Sequence, residues 1–106
     1  MHRKEEILDA IRTIAREILP AGYRLRLFGS RARGDHRQDS DWDIHILIPG
    51  DQRLTLQQHA DLSWPLEQKG WEMEEMITAW IYTYKDWEKR SFLPFYKNVE
   101  KDAIDL

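Results

Sequence analysis

The sequence contains no cysteine and no long apolar segment. The absence of cysteine among its 106 residues excludes a disulfide framework, a thiol nucleophile and a zinc–thiolate site. No apolar run approaches the length of about 20 residues that spans a bilayer. The charged start, Met1–Glu6, leads into an amphipathic pattern without the apolar core of a signal peptide. We therefore expect a soluble, cytoplasmic protein that has no contact with membranes.

The sequence also has no excess of positive charge. Its 16 lysines and arginines are outnumbered by 19 aspartates and glutamates, which gives a formal net charge of -3. Proteins that bind nucleic acid through a general surface are usually basic, so we do not expect strong nucleic-acid binding. No repeat or low-complexity linker interrupts the chain, and 42% of the residues are apolar. Residues 1–106 are therefore expected to form a single domain.

The chemistry of the sequence is concentrated in residues 28–44. Asp41 and Asp43 are two residues apart at the start of an apolar segment, and residues two apart on a strand share a face. Carboxylates this close repel each other, and a shared divalent cation relieves the repulsion. Gly29 and Ser30 follow an earlier apolar segment, and a turn with a short helix there would present amide hydrogens to an anion. A phosphate-binding turn beside a metal site indicates phosphoryl or nucleotidyl transfer.

Two runs of residues in this segment resemble the signature of the minimal nucleotidyltransferases, small members of the DNA polymerase beta superfamily. They are Gly29-Ser30-Arg31-Ala32-Arg33-Gly34 and, after five further residues, Ser40-Asp41-Trp42-Asp43-Ile44. The resemblance implies that Asp41 and Asp43 bind two Mg²⁺ ions. It also implies that Gly29 and Ser30 bind the phosphates of ATP or another nucleoside triphosphate. Arg33 is the favoured additional contact to the nucleotide, ahead of Arg31.

The resemblance further implies a third carboxylate on a later strand, and here the sequence departs from the family pattern. The corresponding position holds Thr78, which cannot bind a metal as a carboxylate does. On a strand that spans this region, Glu74 would share the face of Thr78, whereas Glu75 would point towards the helices. We therefore take Glu74 as the candidate for the third catalytic acid, although it would lie about 13 Å from Thr78 along an extended strand.

Hydrophobic periodicity predicts the order helix, strand, strand, helix, strand, helix. This order is typical of an α+β fold, with a small mixed β-sheet and helices packed on one face, and the resemblance implies the same core. The predicted elements are a first helix that ends at Pro20, strands at 23–28 and 42–48, a helix at 53–69 that breaks or bends near Pro65 and ends at Gly70, a strand at 71–84, a helical turn at 86–90 and a helix at 94–103. The aspartates then lie on the uncovered face.

The histidines and tryptophans give weaker signals. The histidines lack the spacing of a zinc site. His45 shares the predicted face of Asp43, where a surface histidine is favoured over a substrate contact. Trp80 and Tyr82 are predicted on the uncovered face, where we favour a protein interface over stacking on a nucleobase. The remaining tryptophans are assigned to the core: Trp42, Trp64, Trp71 and Trp87.

The predicted acceptor of the nucleotide is another protein, since a chain of this length leaves no room for a separate acceptor-binding domain. The resembled enzymes are commonly paired with small helical HEPN proteins, in toxin–antitoxin systems where the nucleotidyltransferase adenylylates its partner. We therefore expect Mg²⁺-dependent transfer of a nucleoside monophosphate, AMP from ATP, to a partner's hydroxyl group. Two alternatives stay open: an inactive module that acts by binding a partner, and transfer to a small molecule, as in aminoglycoside-modifying relatives. A homo-oligomer also stays open.

Overall fold

The computed structural model describes residues 3–106, so the first two residues of the predicted domain lie outside the described range. The elements are α1 (Arg3–Ile18), β1 (Arg24–Phe28), α2 (Ser30–Arg33), β2 (Trp42–Ile48), α3 (Leu56–Glu72), β3 (Ile77–Thr83), α4 (Tyr84–Lys89), α5 (Pro94–Asp102) and β4 (Ile104–Asp105). Within residues 3–106, no helix is both long enough and apolar enough to cross a membrane.

The strands form one mixed sheet in the order β3-β2-β1-β4. Strand β1 is antiparallel to both β2 and β4, whereas β2 and β3 are parallel and are connected through α3. The register places Asp43 of β2 between Phe28 of β1 and Thr78 of β3. The predicted α+β fold with a small mixed sheet is confirmed. Strand β4 was not predicted, because two residues are too few to show a periodic pattern.

The two long helices, α1 and α3, cover one face of the sheet. The apolar residues of α1 recur at helical spacing, and Ile7 and Ile11 are almost completely buried. They belong to the same core cluster as Ile44 and Ile46 of β2. The apolar side of α1 therefore packs on the apolar side of β2.

The opposite face of the sheet is partly covered, contrary to the prediction that helices pack on one face only. Helices α4 and α5 lie against it, and a second core cluster contains Phe28, Leu47, Trp87 and Val99. Strand β1 is therefore covered on both faces. Both helices were predicted in sequence, but periodicity along a helix does not indicate which face of the sheet the helix covers.

A buried polar cluster joins α5 to β1 on this second face. Arg26 donates to both carboxylate oxygens of Glu100, at 3.0 and 2.8 Å, and Trp87 Nε1 donates to Glu100 Oε2 at 2.8 Å. Chiefly because of the hydrogen bond from Arg26, the pKa of Glu100 falls to about 2. His45 was expected at the surface, but it is completely buried next to Arg26. Its burial lowers its pKa to about 3, so the imidazole is neutral.

The connection between α3 and β3 differs from the prediction. Helix α3 continues through Pro65 as one element and extends beyond Gly70. A Cβ atom at Gly70 would lie 2.9 Å from Ile77 Cγ1, so this glycine permits close packing between helix and strand instead of capping the helix. Glu74 then adopts a left-handed conformation with φ 61°, and the Glu75 N–H donates to Gly70 O at 2.8 Å, as in a Schellman motif.

Strand β3 forms one edge of the sheet, and α3 supplies a side chain to its exposed backbone. The N–H of Ile81 donates to His59 Nε2 at 3.2 Å. Burial lowers the pKa of His59, which favours the neutral imidazole that can accept this hydrogen bond. The contact satisfies a backbone donor that an edge strand would otherwise leave to solvent.

Only two of the four tryptophans assigned to the core are buried. Trp42 and Trp87 are 2% and 3% exposed, whereas Trp64 and Trp71 are 52% and 51% exposed. The exposed pair packs edge to face on α3, with ring centres 5.2 Å apart. Their assignment to the core was wrong because α3 presents only part of its apolar surface to the sheet.

Candidate active site

The predicted phosphate-binding turn and the aspartate pair meet where β1 and β2 lie side by side. Gly29 follows β1 with φ 75° and ψ −158°, a conformation that is essentially restricted to glycine. A Cβ atom at this position would lie only 2.6 Å from Asp43 Oδ2. The register explains the contact, because Phe28 pairs with Asp43 and Gly29 is the next residue. The carboxylate of Asp43 therefore packs directly against the turn.

The turn continues into the short helix α2, as predicted. The N–H groups of Ala32 and Arg33 both donate to Gly29 O, at 3.1 and 3.0 Å, and the Gly34 N–H donates to Ser30 O at 2.9 Å. The first amide hydrogens of any helix have no acceptor inside the helix. The assignment of Gly29 and Ser30 to phosphate binding stays a prediction.

Asp41 and Asp43 are close enough for the charge of one to affect the ionisation of the other. Asp41 is exposed and Asp43 is partly buried. The pKa of Asp43 is raised, first by its burial and second by the charge of Asp41, while a hydrogen bond from Trp80 and the charge of Arg33 oppose the shift. A pair of carboxylates in this state favours the binding of a divalent cation.

Thr78 contributes a hydroxyl group beside this pair. It is the β3 residue opposite Asp43, and its Oγ1 donates to Asp41 Oδ2 at 3.4 Å. Three oxygen-bearing side chains therefore meet on one face of the sheet. Within the described residues, no three histidine, aspartate or glutamate side chains lie close enough to share a metal ion.

Glu74, the candidate for the third acid, is not on a strand. It lies in the connection between α3 and β3, and β3 begins only at Ile77. The alternation argument that placed Glu74 on the face of Thr78 is therefore wrong. Its neighbour Glu75 points inward and accepts a hydrogen bond from Trp42 Nε1 at 2.8 Å.

Arg33, the predicted nucleotide contact, is exposed and held by two carboxylates. Its Nη1 donates to Asp102 Oδ2 at 2.9 Å, and its Nε donates to Asp35 Oδ2 at 3.2 Å. The positive charge of Arg33 also opposes the rise in the pKa of Asp43. The guanidinium would have to exchange a carboxylate for a phosphate in order to bind a nucleotide.

Arg31 has a different environment, which the sequence analysis did not foresee. It is 9% exposed, and its guanidinium carbon lies 4.0 Å from the centre of the Trp42 ring. Its Nε and Nη2 donate to Ser40 O at 3.1 and 2.9 Å, and Nη2 also donates to Gln38 O at 3.1 Å. The two arginines of the motif therefore have separate roles in the structure.

The sequence profile of the family described as "Nucleotidyltransferase domain" matches residues 8–104. This chain belongs to that family. The matched range includes the turn at Gly29, both Asp41 and Asp43, and the strand that carries Thr78. Among curated proteins, none matches this nucleotidyltransferase-domain chain in sequence.

Three solved structures share the fold. One is described as a toxin–antitoxin with AMP-PNP; it is 19% identical, with a TM-score of 0.65, and the match covers 99% of this chain and 72% of that one. A mutant of the MntA-HpeT toxin–antitoxin is 23% identical, with a TM-score of 0.62, over 93% and 70%. A proposed minimal nucleotidyltransferase is 24% identical, with a TM-score of 0.60, over 100% and 97%. The predicted membership of a nucleotidyltransferase family is confirmed by the sequence profile.

Proposed function

We propose that this chain transfers a nucleoside monophosphate, AMP from ATP, to a hydroxyl group of a partner protein. The observation that carries the proposal is the contact between Asp43 and Gly29, where a Cβ atom would lie 2.6 Å from the carboxylate. This contact brings the two halves of the sequence motif into one site. Membership of the nucleotidyltransferase domain family supports the same reaction class.

The donor set fits a Mg²⁺ ion that is shared with the substrate. Mg²⁺ prefers oxygen ligands and is commonly held by one or two carboxylates together with substrate phosphates. Asp41 and Asp43 would hold the ion, which would neutralise charge on the phosphate oxygens. A second ion stays part of the proposal, although no third acidic side chain joins the pair within residues 3–106.

The remaining residues of the site would bind and orient the triphosphate. Gly29 and Ser30 would bind the β- and γ-phosphates, and Arg33 would approach them after leaving Asp102. In the reaction, the acceptor oxygen bonds to the α-phosphorus, the bond from that phosphorus to the bridging oxygen breaks, and pyrophosphate leaves. The hydroxyl proton needs a base, and Thr78 does not provide a carboxylate for this step. A positioned base typically contributes 10²- to 10⁴-fold, so we expect slow transfer unless the partner supplies the base.

The proposed acceptor is a small helical toxin of the HEPN type, for which this chain would act as the antitoxin. Two of the structures that share its fold are toxin–antitoxin assemblies, one of them with AMP-PNP. Nucleoside triphosphates are present in the cytoplasm, and we propose that this chain is located there.

Transfer of label from [α-³²P]ATP tests this function. The purified chain is incubated with Mg²⁺ and a small helical protein of the HEPN type from the same genome, in parallel with the Asp43→Asn variant of the chain. We expect label on the partner with the wild type and none with the variant. If the wild type transferred no label while a known nucleotidyltransferase did so in the same buffer, the proposal would be wrong.

A second candidate function is a binding module without catalysis. It is favoured by one observation, the presence of Thr78 beside the aspartates where an acid would complete the site. Calorimetry with ATP and with the partner separates the two functions. Tight Mg²⁺-dependent ATP binding that is lost in Asp43→Asn indicates a working site, whereas partner binding without ATP binding indicates the module.

A further inference from the structure

The side chain of Arg31 contacts the backbone on one side of Asp41 and the ring on the other side. Its hydrogen bonds go to the carbonyl oxygens of Gln38 and Ser40, at 2.9 to 3.1 Å. Its guanidinium also stacks on Trp42, with 4.0 Å between the guanidinium carbon and the ring centre. Because Trp42 separates the two aspartates in the sequence, these contacts fix the backbone of the aspartate segment.

Trp42 is in turn anchored to the connection between α3 and β3. Its indole Nε1 donates to Glu75 Oε1 at 2.8 Å, and its backbone N–H donates to Met76 O at 2.8 Å. The same Glu75 oxygen lies 3.8 Å from Arg31 Nη2. The N–H of Glu75 is bound to Gly70 O, so the acidic side chain extends from a fixed helix end.

We propose that Arg31 is a positioning residue, which holds the segment from Ser40 to Asp43 in the geometry that binds a metal–nucleotide complex. This inference rests on the proposed function and deepens it. Arg31 directly follows Ser30, so its side chain connects the phosphate-binding turn to the aspartates through one rigid group. Its Nε and Nη2 donate to carbonyl oxygens and its side chain is buried, so we assign Arg31 to positioning and Arg33 to phosphate binding.

Arginine is required here for its shape as well as its charge. The planar guanidinium donates from two nitrogens to one carbonyl oxygen and stacks on an aromatic ring, and an ammonium group cannot do both. Arg31→Lys therefore keeps the charge but releases the segment. Outer residues that orient metal ligands typically affect metal affinity by about 10- to 100-fold when they are changed.

The test measures how much Mg²⁺ strengthens nucleotide binding. Calorimetry on the full chain gives the Kd of α,β-methylene-ATP with and without Mg²⁺, and the ratio of the two values defines the metal increment. We expect Arg31→Lys to reduce the increment by about 10-fold or more and to leave the metal-free Kd nearly unchanged. The matched control is Arg33→Gln in the same motif, which should weaken binding by a similar factor in both conditions and so preserve the increment.

Each outcome bears on the proposal. If Arg31→Lys kept the wild-type increment, or if its losses were equal with and without Mg²⁺, the positioning role would be refuted while the proposed function stood. A wild type without any increment would refute both. Thermal melting checks that each variant folds. If Arg31→Lys did not fold, Glu75→Gln keeps the acceptor for Trp42 and removes the charge near Arg31. A several-fold smaller increment in that variant supports the role, and an unchanged one refutes it.

Discussion

Replacing Gly29 with alanine should remove Mg²⁺-dependent nucleotide binding from a protein that still folds. The residue has φ 75° and ψ −158°, and a residue with a side chain held in this region costs about 1–3 kcal/mol. The new methyl group would also lie 2.6 Å from Asp43 Oδ2, where ordinary contact begins at 3.4 Å, so the carboxylate would have to move by about 0.8 Å to restore an ordinary contact. A displacement of about 1 Å at a reacting centre can reduce the rate by about 100-fold.

The matched control is Gly34→Ala at the other end of α2. Gly34 also has a positive φ, 89°, but a Cβ atom there meets no atom within 4 Å. Left-handed backbone costs a residue with a side chain about 1–2 kcal/mol. Both variants should therefore lose stability in urea denaturation. Only Gly29→Ala should also lose Mg²⁺-dependent nucleotide binding in calorimetry. Its rate of label transfer should fall by about 100-fold.

The comparison has a clear refuting result. If Gly29→Ala bound Mg²⁺–ATP as well as Gly34→Ala, the contact between the turn and Asp43 would not matter for the site. The proposed function would then lose the observation that carries it. If both variants lost binding equally, backbone strain in α2 would explain the loss, and the position of the carboxylate would not.

Three further predictions concern the residues around this contact. Thr78→Asp adds a carboxylate beside the aspartate pair, so the rate of label transfer should rise about 10-fold or more; an unchanged initial rate would contradict this expectation. The Tm of this variant without Mg²⁺ should fall because the added charge repels the two aspartates. Glu100→Gln removes an acid whose pKa falls from 4.5 to about 2, chiefly through its hydrogen bond from Arg26. The shift corresponds to at most about 3 kcal/mol, and we expect about 1–2 because the side chain is 35% exposed. Since the pKa of Glu100 is depressed in the folded state, this stabilisation is present above pH 4.5 and is lost as the pH falls towards 2. Urea denaturation of wild type and variant at pH 7 and pH 3 measures the stabilisation. A difference between the two proteins that did not shrink at pH 3 would contradict the prediction. Asp102→Asn releases Arg33 for phosphate and should tighten ATP binding up to about 5-fold, the equivalent of an exposed ion pair; calorimetry that showed no change would refute it.

Local sequence patterns predicted the elements whose apolar residues recur with a regular period. The bounds of β2 agree with the prediction, because isoleucines alternate with other residues along the strand. The end of α3 could not be predicted in this way. Gly70 has the residue type of a helix cap, yet it is glycine because Ile77 approaches it closely, and only the tertiary packing contains that information.

The proximity of the aspartates to the turn was predictable to a similar extent. The spacing of Asp41 and Asp43 and the position of Gly29 indicated a common site. Residue order along two adjacent strands determines that the aspartates share a face and that Gly29 lies beside them. The two arginines of the motif could not be distinguished, because their roles depend on contacts that form only when the chain folds. Arg31 binds carbonyl groups of the following loop, whereas Arg33 binds Asp102, which is 69 residues away in the sequence.

The hydrogen bond from Ile81 to His59 limits how another chain can attach to this one. Many proteins recruit a peptide by adding it as an extra strand to a free sheet edge, and the same open edges promote aggregation. On β3, the backbone donor at Ile81 already has a side-chain acceptor from α3. A binding partner must therefore recognise side chains and not extend the sheet at this position, and the histidine also protects the protein against edge-to-edge association there.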